Sequence, residues 1–284
     1  MQLKNIKIDH VVLAEYRNEE EEMKQRFITG TIAALLFLPI VFIGGIPFII
    51  LLYIMATIAF YEILRMKGIP LFSLLSIFSI ILLWIFMIPS EYAHYLKHIN
   101  GTKTELVLLS GVWLLMISVV SKNRFTYEDL AFCLLTIFYL GIGFYYFIET
   151  RFSGLVYVFY ALFLIWATDT GAYLFGRYFG KRKLWPEISP KKTVEGSIGG
   201  IASALLVAVL FYYLSDLDIP FGKLIMASIL LAIIGQMGDL VESALKRHFQ
   251  VKDSGNILPG HGGILDRVDS WLFVMPFLHF LHIL

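Results

Sequence analysis

A single cysteine, Cys133, stands in 284 residues, which excludes an intrachain disulfide and leaves redox chemistry no foothold. Charge is scarce as well. Only 16% of the chain is Asp, Glu, Lys or Arg against 58% hydrophobic residues, and mean hydropathy is +0.75, too little polar surface for a soluble globule of this length. The formal net charge of +1 gives no footing for nucleic acid as a partner. The chain also lacks a Gly-x-x-x-x-Gly-Lys-Ser/Thr loop, a Gly-x-Gly-x-x-Gly behind a strand and any internal repeat of equal period. ATP-driven transport and dinucleotide binding lose support accordingly.

What the chain has in abundance is long apolar runs. Crossing a hydrocarbon core of about 30 Å takes about 20 mainly apolar residues. Candidate runs cover 27–44, 46–64, 70–89, 105–120, 130–148, 154–175, 195–214, 220–245 and 264–284, the first two joined by Gly44 and Gly45 as a tight hairpin. The expected fold is all-α, a polytopic integral membrane protein of about nine transmembrane helices. Loop charge sets its orientation. Lys24, Arg26, Arg65, Lys67, Lys122, Arg124, Arg177, Lys181 to Lys183, Lys191, Lys192, Lys246, Arg247, Lys252 and Arg267 fall at one set of alternate ends, and only Lys97, Lys103, Arg151 and Lys223 at the other. Lys and Arg concentrate in the cytoplasm, so the N-terminus is expected inside and the C-terminus outside. Residues 1–22, rich in charge and followed by Met23, read as a leader or cytosolic extension. Helices 1–5 then occupy 23–150 and a C-terminal catalytic part, helices 6–9 with their loops, occupies 151–284.

Ionisable groups inside such spans are expensive and are functional candidates by default. Gln236, Asp239, Ser243 and Lys246 follow i, i+3, i+7, i+10 spacing on the eighth run and form one polar stripe. Asp239 then lies on the order of 10 Å below Lys246. Asp169 precedes Arg177 by a similar distance on the sixth run, and Asp266 and Asp269 stand in the first turns of the ninth. These carboxylates are expected at one depth in the cytoplasmic leaflet, where mutual repulsion calls for a cation. The competing account gives each Asp a private salt bridge or a helix cap. Without a Cys cluster or a close His pair among them, a hard oxygen-bound ion such as magnesium, with or without a second cation, is favoured over zinc.

Two loops carry the complementary charge. Between Ser243 and Asp269, Lys246, Arg247, Lys252, His261 and Arg267 can contact phosphate, and Gly260, Gly262 and Gly263 allow backbone to approach an anion. Between Arg177 and Thr193, Lys191, Lys192 and Thr193 sit at the start of the seventh helix and can take a triphosphate through charge and the helix N-terminus. Lys181 to Lys183 read equally as the topological charge of a cytoplasmic loop. Gly196 and Gly200 read as a helix contact. His94 with His98 and His279 with His282 have helical spacing but fall on the outer side.

Ser243, Lys246-Arg247, Lys252-Asp253, Pro259-Gly-His-Gly-Gly263 and Asp266-Arg-Val-Asp269 resemble, spacing included, the signature of the phosphatidate cytidylyltransferases. Asp169-Thr-Gly-Ala-Tyr173, Gly176-Arg177, Ser189-Pro-Lys-Lys-Thr-Val-Glu-Gly196 and Gly238-Asp-Leu-Val-Glu-Ser243 are similar to that family too. The resemblance is specific in the C-terminal half and rests on hydropathy alone in the N-terminal half. It implies transfer of a cytidylyl group from CTP to phosphatidic acid with magnesium, in a homodimer in a bacterial cell membrane with the active site facing the cytoplasm. Asp239 and Asp266 are then the leading metal ligands, with Asp269 and Asp169 as further ligands or support. Lys191, Lys192, Thr193, Ser243, Lys246, Arg247, Lys252, His261, Gly262, Gly263 and Arg267 are the substrate-binding candidates. A CTP-dependent polyprenol or phytol kinase and an ion-coupled secondary transporter are the alternatives.

Overall fold

The computed structural model describes residues 2–93 and 103–283, with the backbone alone for 2–22. Its helices are α1 (Gln2–Ile43), α2 (Gly45–Lys67), α3 (Leu74–Phe86), α4 (Lys103–Val120), α5 (Tyr127–Ser153), α6 (Leu155–Phe179), α7 (Val194–Leu214), α8 (Phe221–His248) and α9 (Leu265–Phe280). In lipid every backbone N–H and C=O must be satisfied within the segment, so apolar runs of this length become helices. Polar residues punctuate them. Ser73 caps α3 by accepting from Ser76 N, and Thr126 and Asp129 form a reciprocal capping box at α5. Gly44 and Gly45, both at positive φ, make the sharp turn from α1 to α2.

Two features depart from the expectation. Among the described residues, seven helices are long and apolar enough to cross a membrane. Of the remaining two, α3 has 13 residues and α9 has 16, and at 1.5 Å per residue α3 reaches only about 20 Å. The expected run 70–89 is shortened at its start, where residues 70–73 form a turn and the Ser73 cap rather than helix. The second departure is a small antiparallel sheet in a chain that is otherwise helical. Strand β1 (Lys183–Trp185) pairs with β2 (Ser189–Thr193), Lys183 opposite Thr193 and Trp185 opposite Ser189. It holds the second basic segment, expected as loop, in an extended hairpin that leads straight into α7.

The core lies between α2, α5, α6, α8 and α9, with Phe48, Phe60, Phe144, Phe147 and Tyr160 fully buried. The Tyr160 hydroxyl is satisfied by Ser228 Oγ at 2.7 Å across α6 and α8. Helices α6 and α7 make the closest crossing. A Cβ on Gly196 would lie 2.6 Å from the Ala172 carbonyl oxygen, and one on Gly200 would lie 2.8 Å from that of Thr168. The helix contact expected from this glycine pair is therefore a backbone-to-backbone approach, and it brings the start of α7 beside Asp169.

The alternation of helices can be checked one at a time. In a Cys133→Ala background, exposed cysteines at Phe72, Ser90 and Asn256 should label with an impermeant thiol reagent from two sides of the membrane. Phe72→Cys and Asn256→Cys should share one side and Ser90→Cys the other. Labelling of Phe72→Cys and Ser90→Cys from the same side would show that α3 does not cross.

Candidate active site

The adjacent ends of α6, α7, α8 and α9 and the β1–β2 hairpin enclose a cavity of about 530 Å³. Asp169 and Arg177 reach it from α6, Lys191 and Lys192 from β2, Asp239 and Gln236 from α8, and Asp266, Arg267 and Asp269 from the first turns of α9. The four aspartates expected at one depth thus line one cavity, facing Arg177, Lys191, Lys192 and Arg267. Lys192 Nζ lies 2.7 Å from Asp239 Oδ2, while Ser243 Oγ donates to the other Asp239 oxygen at 3.3 Å. Asp169 and Asp269 both feel the charge of Asp239. Thr193 is largely committed elsewhere: buried at the wall, it is the N-cap of α7, its hydroxyl accepting from Gly196 N at 3.1 Å.

Asp266 is held differently from its neighbours. Its Oδ2 accepts from Ser254 N (2.9 Å), Ser254 Oγ (2.8 Å) and Gly263 N (2.8 Å), and its Oδ1 lies 2.6 Å from Lys246 Nζ. Lys246 also pairs with buried Glu242 at 2.5 Å. The Lys246 charge therefore goes to two carboxylates inside the protein, and this side chain does not line the cavity. The glycines around it meet protein carboxylates. At Gly262, φ is +81°, and a Cβ would run into the Asp266 carboxylate; one at Gly263 would run into Ser254 and Glu62. The anion that this backbone approaches is the protein's own.

Glu62, on α2, is the residue that sequence reasoning missed. It is 1% exposed, and its carboxylate accepts from Ile264 N and Leu265 N at 2.9 Å each, with Ser254 Oγ 3.1 Å away. An acid inside the run 46–64 was a visible signal of the same kind as Asp169, but the backbone groups it bonds lie some 200 residues away.

The remaining candidates lie outside the cavity wall. Arg247 is exposed and bonds the Ile188 and Val251 carbonyls, tying α8 to the hairpin turn, and Lys252 is exposed on the loop. His261 instead lines a separate pocket, where Met23, Arg26, Phe27, Gly30, Thr31, Ala34, Leu35 and Leu38 of α1 form an open, mostly apolar groove of about 1050 Å³. Burial, and then the nearby Arg267 charge, hold the His261 imidazole below its ordinary value. The His261 carbonyl accepts from Arg267 Nε at 3.1 Å, linking the groove to the cavity. On the far side His279 bonds Thr150 at 3.2 Å as a packing contact; His94 and His98 lie outside the described residues.

The donor chemistry of the cavity fits a hard divalent cation, since its anionic groups are aspartate oxygens with no His or Cys among them. Among the described residues no three such side chains close around one point. Magnesium, which commonly takes one or two carboxylates and completes its shell with water and phosphate oxygens, tolerates that arrangement.

A charge-balanced cavity sunk between the helix ends of a polytopic scaffold, with an apolar groove at its flank, defines a class of membrane protein suited to handling anionic, lipid-linked ligands. Within it the chain belongs to the cytidylyltransferase family, whose model matches residues 24–284. It is 52% identical over 264 residues to a phosphatidate cytidylyltransferase of Bacillus subtilis (strain 168), covering 92% of this chain and 97% of that one. Proteins of the same name from Staphylococcus haemolyticus (strain JCSC1435) and Staphylococcus saprophyticus subsp. saprophyticus are 49% and 47% identical, each over 91% of this chain and 98% of theirs.

The different bonding of the aspartates separates their roles. Asp239→Asn should cut turnover by about a hundredfold or more while leaving the thermal midpoint unchanged, because a cavity-facing charge is lost and the backbone around it is not. Asp266→Asn should lower turnover and also destabilise the protein by on the order of 3 kcal/mol, since it breaks a buried ion pair. Equal thermal midpoints for wild type and Asp266→Asn would remove Asp266 from the structural role.

Proposed function

We propose that this chain transfers the cytidylyl group of CTP to phosphatidic acid, releasing pyrophosphate and giving CDP-diacylglycerol. The observation that carries the reading is the cavity in which Asp169, Asp239, Asp266 and Asp269 face Arg177, Lys191, Lys192 and Arg267 between the helix ends, with the groove beside His261 joined to it through Arg267. The printed names of the relatives, at about half identity over most of the chain, support the same reaction.

The reaction asks for charge control. A phosphate oxygen of phosphatidic acid forms a bond to the α-phosphorus of CTP, and the bond from that phosphorus to the oxygen bridging toward the β-phosphate breaks, carrying its electron pair away on pyrophosphate. A phosphate monoester is already anionic at neutral pH, so no protein nucleophile is required. Two anions must instead be brought together and the leaving group stabilised. Lys191 and Lys192, on the strand that enters α7, are placed to take the triphosphate, and Arg177 and Arg267 to take the phosphates from the opposite wall. Asp169, Asp239 and Asp269 would hold magnesium, which supplies further neutralisation of the phosphate oxygens.

The lipid arrives from the side. The groove along α1, about 1050 Å³ in volume, is lined mostly by apolar side chains, with Arg26 and His261 beside them. That combination of surfaces matches an acyl tail joined to a phosphate. The family resemblance adds a homodimer, the bacterial relatives support a cell-membrane location, and the steep loop-charge bias supports a cavity facing the cytoplasm, where CTP is available.

Isotope placement decides between this reaction and a lipid kinase. Purified protein in detergent with phosphatidic acid, CTP and magnesium should move label from the α-phosphate of CTP into lipid and release pyrophosphate, leaving γ-label in water. Lipid that acquires γ-label but not α-label would identify a kinase instead, and no transfer of either label would leave the transport reading standing.

A further inference from the structure

The N-terminus of α9 carries Asp266, Arg267 and Asp269 into the cavity, yet it has no cap of its own. Its N-cap position, Ile264, offers no side-chain acceptor, and the first backbone N–H groups of a helix have no partner within it. Two carboxylates supply what is missing. Asp266 reaches back to Gly263 N, and Glu62, 202 and 203 residues away in sequence, accepts from Ile264 N and Leu265 N at 2.9 Å each. Ser254 ties them together, its Oγ lying 3.1 Å from Glu62 Oε2 and 2.8 Å from Asp266 Oδ2. Glu62 itself does not line the cavity.

A buried carboxylate that accepts from two successive backbone N–H groups while lying against a hydroxyl of a separate segment fixes both the height and the rotation of the helix it caps. One helical step of rotation at Leu265 would turn Asp266, Arg267 and Asp269 away from the other wall. The surroundings leave Glu62 no alternative pose. A Cβ on Gly255 would stand 2.5 Å from Glu62 Oε1 and 2.9 Å from its carboxyl carbon, so the loop comes as close to this carboxylate as glycine permits.

From this geometry we infer that Glu62 is a positioning residue for cytidylyl transfer: acting from the N-terminal half, it caps α9 and sets the α9 residues against the lysines of β2. The inference rests on the transferase reading above. Glu62→Gln keeps the shape but turns one acceptor into a donor, so either Ile264 N or Leu265 N loses its partner. Because Lys191 and Lys192, the residues proposed to take most of the triphosphate, are untouched and Arg267 is the one phosphate contact disturbed, kcat should fall at least about tenfold while KM for CTP rises by no more than about threefold.

Gly255 provides the control that a general loss of stability cannot imitate. In the wild-type background Gly255→Ala should also lower kcat by about tenfold, through its collision with Glu62, whereas added to Glu62→Ala it should change kcat by less than about twofold. Hydrogen exchange of the amides of Ile264 and Leu265 should quicken in Glu62→Gln. Active wild-type enzyme with an unchanged kcat in Glu62→Gln would overturn the inference. So would an equal penalty for Gly255→Ala in both backgrounds, or a Glu62→Gln effect confined to the thermal midpoint. Wild-type protein that moves no α-label would overturn the transferase reading and this inference with it.

Discussion

Asp266 is where charge, backbone and helix geometry meet. Its side chain is 5% exposed, a setting in which a carboxylate stripped of water is tolerated only with donors on every side. It has them: Lys246 on one oxygen, and Ser254 and Gly263 on the other. Each donor constrains a different piece. Lys246 locks α9 to the last turns of α8, Ser254 pins the middle of the loop, and Gly263 pins its end. The cavity walls formed by α8 and α9 stand at a defined separation because this one group will not release its partners cheaply.

The same demand explains the glycines. A loop that must wrap two buried carboxylates needs backbone N–H groups turned inward and no Cβ in the way, hence Gly255, Gly262 and Gly263 around Glu62 and Asp266. On α7, Gly196 and Gly200 serve another closeness, that of α7 to α6. In the first case glycine admits charge; in the second it admits another helix, whose dispersion contacts help hold the wall that bears Asp169.

Much of this was legible in the sequence because lipid leaves few options. Apolar runs had to become helices, and aspartates within them had to be gathered, so Asp169, Asp239, Asp266 and Asp269 could be brought to one depth by counting residues. What could not be counted was direction. Helical spacing put Lys246 on the stripe with Asp239, but only the packing of α8 on α9 shows it aimed at Asp266 and Glu242. His261 had suitable neighbours in sequence and faces the α1 groove in space. The β1–β2 hairpin has too few residues for alternation to announce it, and α3 fell short because a cap at Ser73 consumed part of its run. Glu62 was visible as an intramembrane acid, yet its partners lie some 200 residues away, beyond any local pattern.

The ion pair of Lys192 with Asp239, at 2.7 Å, has a thermodynamic consequence. An anion that draws Lys192 away leaves Asp239 with unspent charge, and a cation that binds Asp239 frees Lys192 for an anion. Each event removes the competitor of the other, so the two affinities are linked with positive sign and by the same factor in both directions. By that linkage a cavity wired in this way would favour a cation and an anion together over either alone, a test for coincidence of ligands before any bond is made or broken.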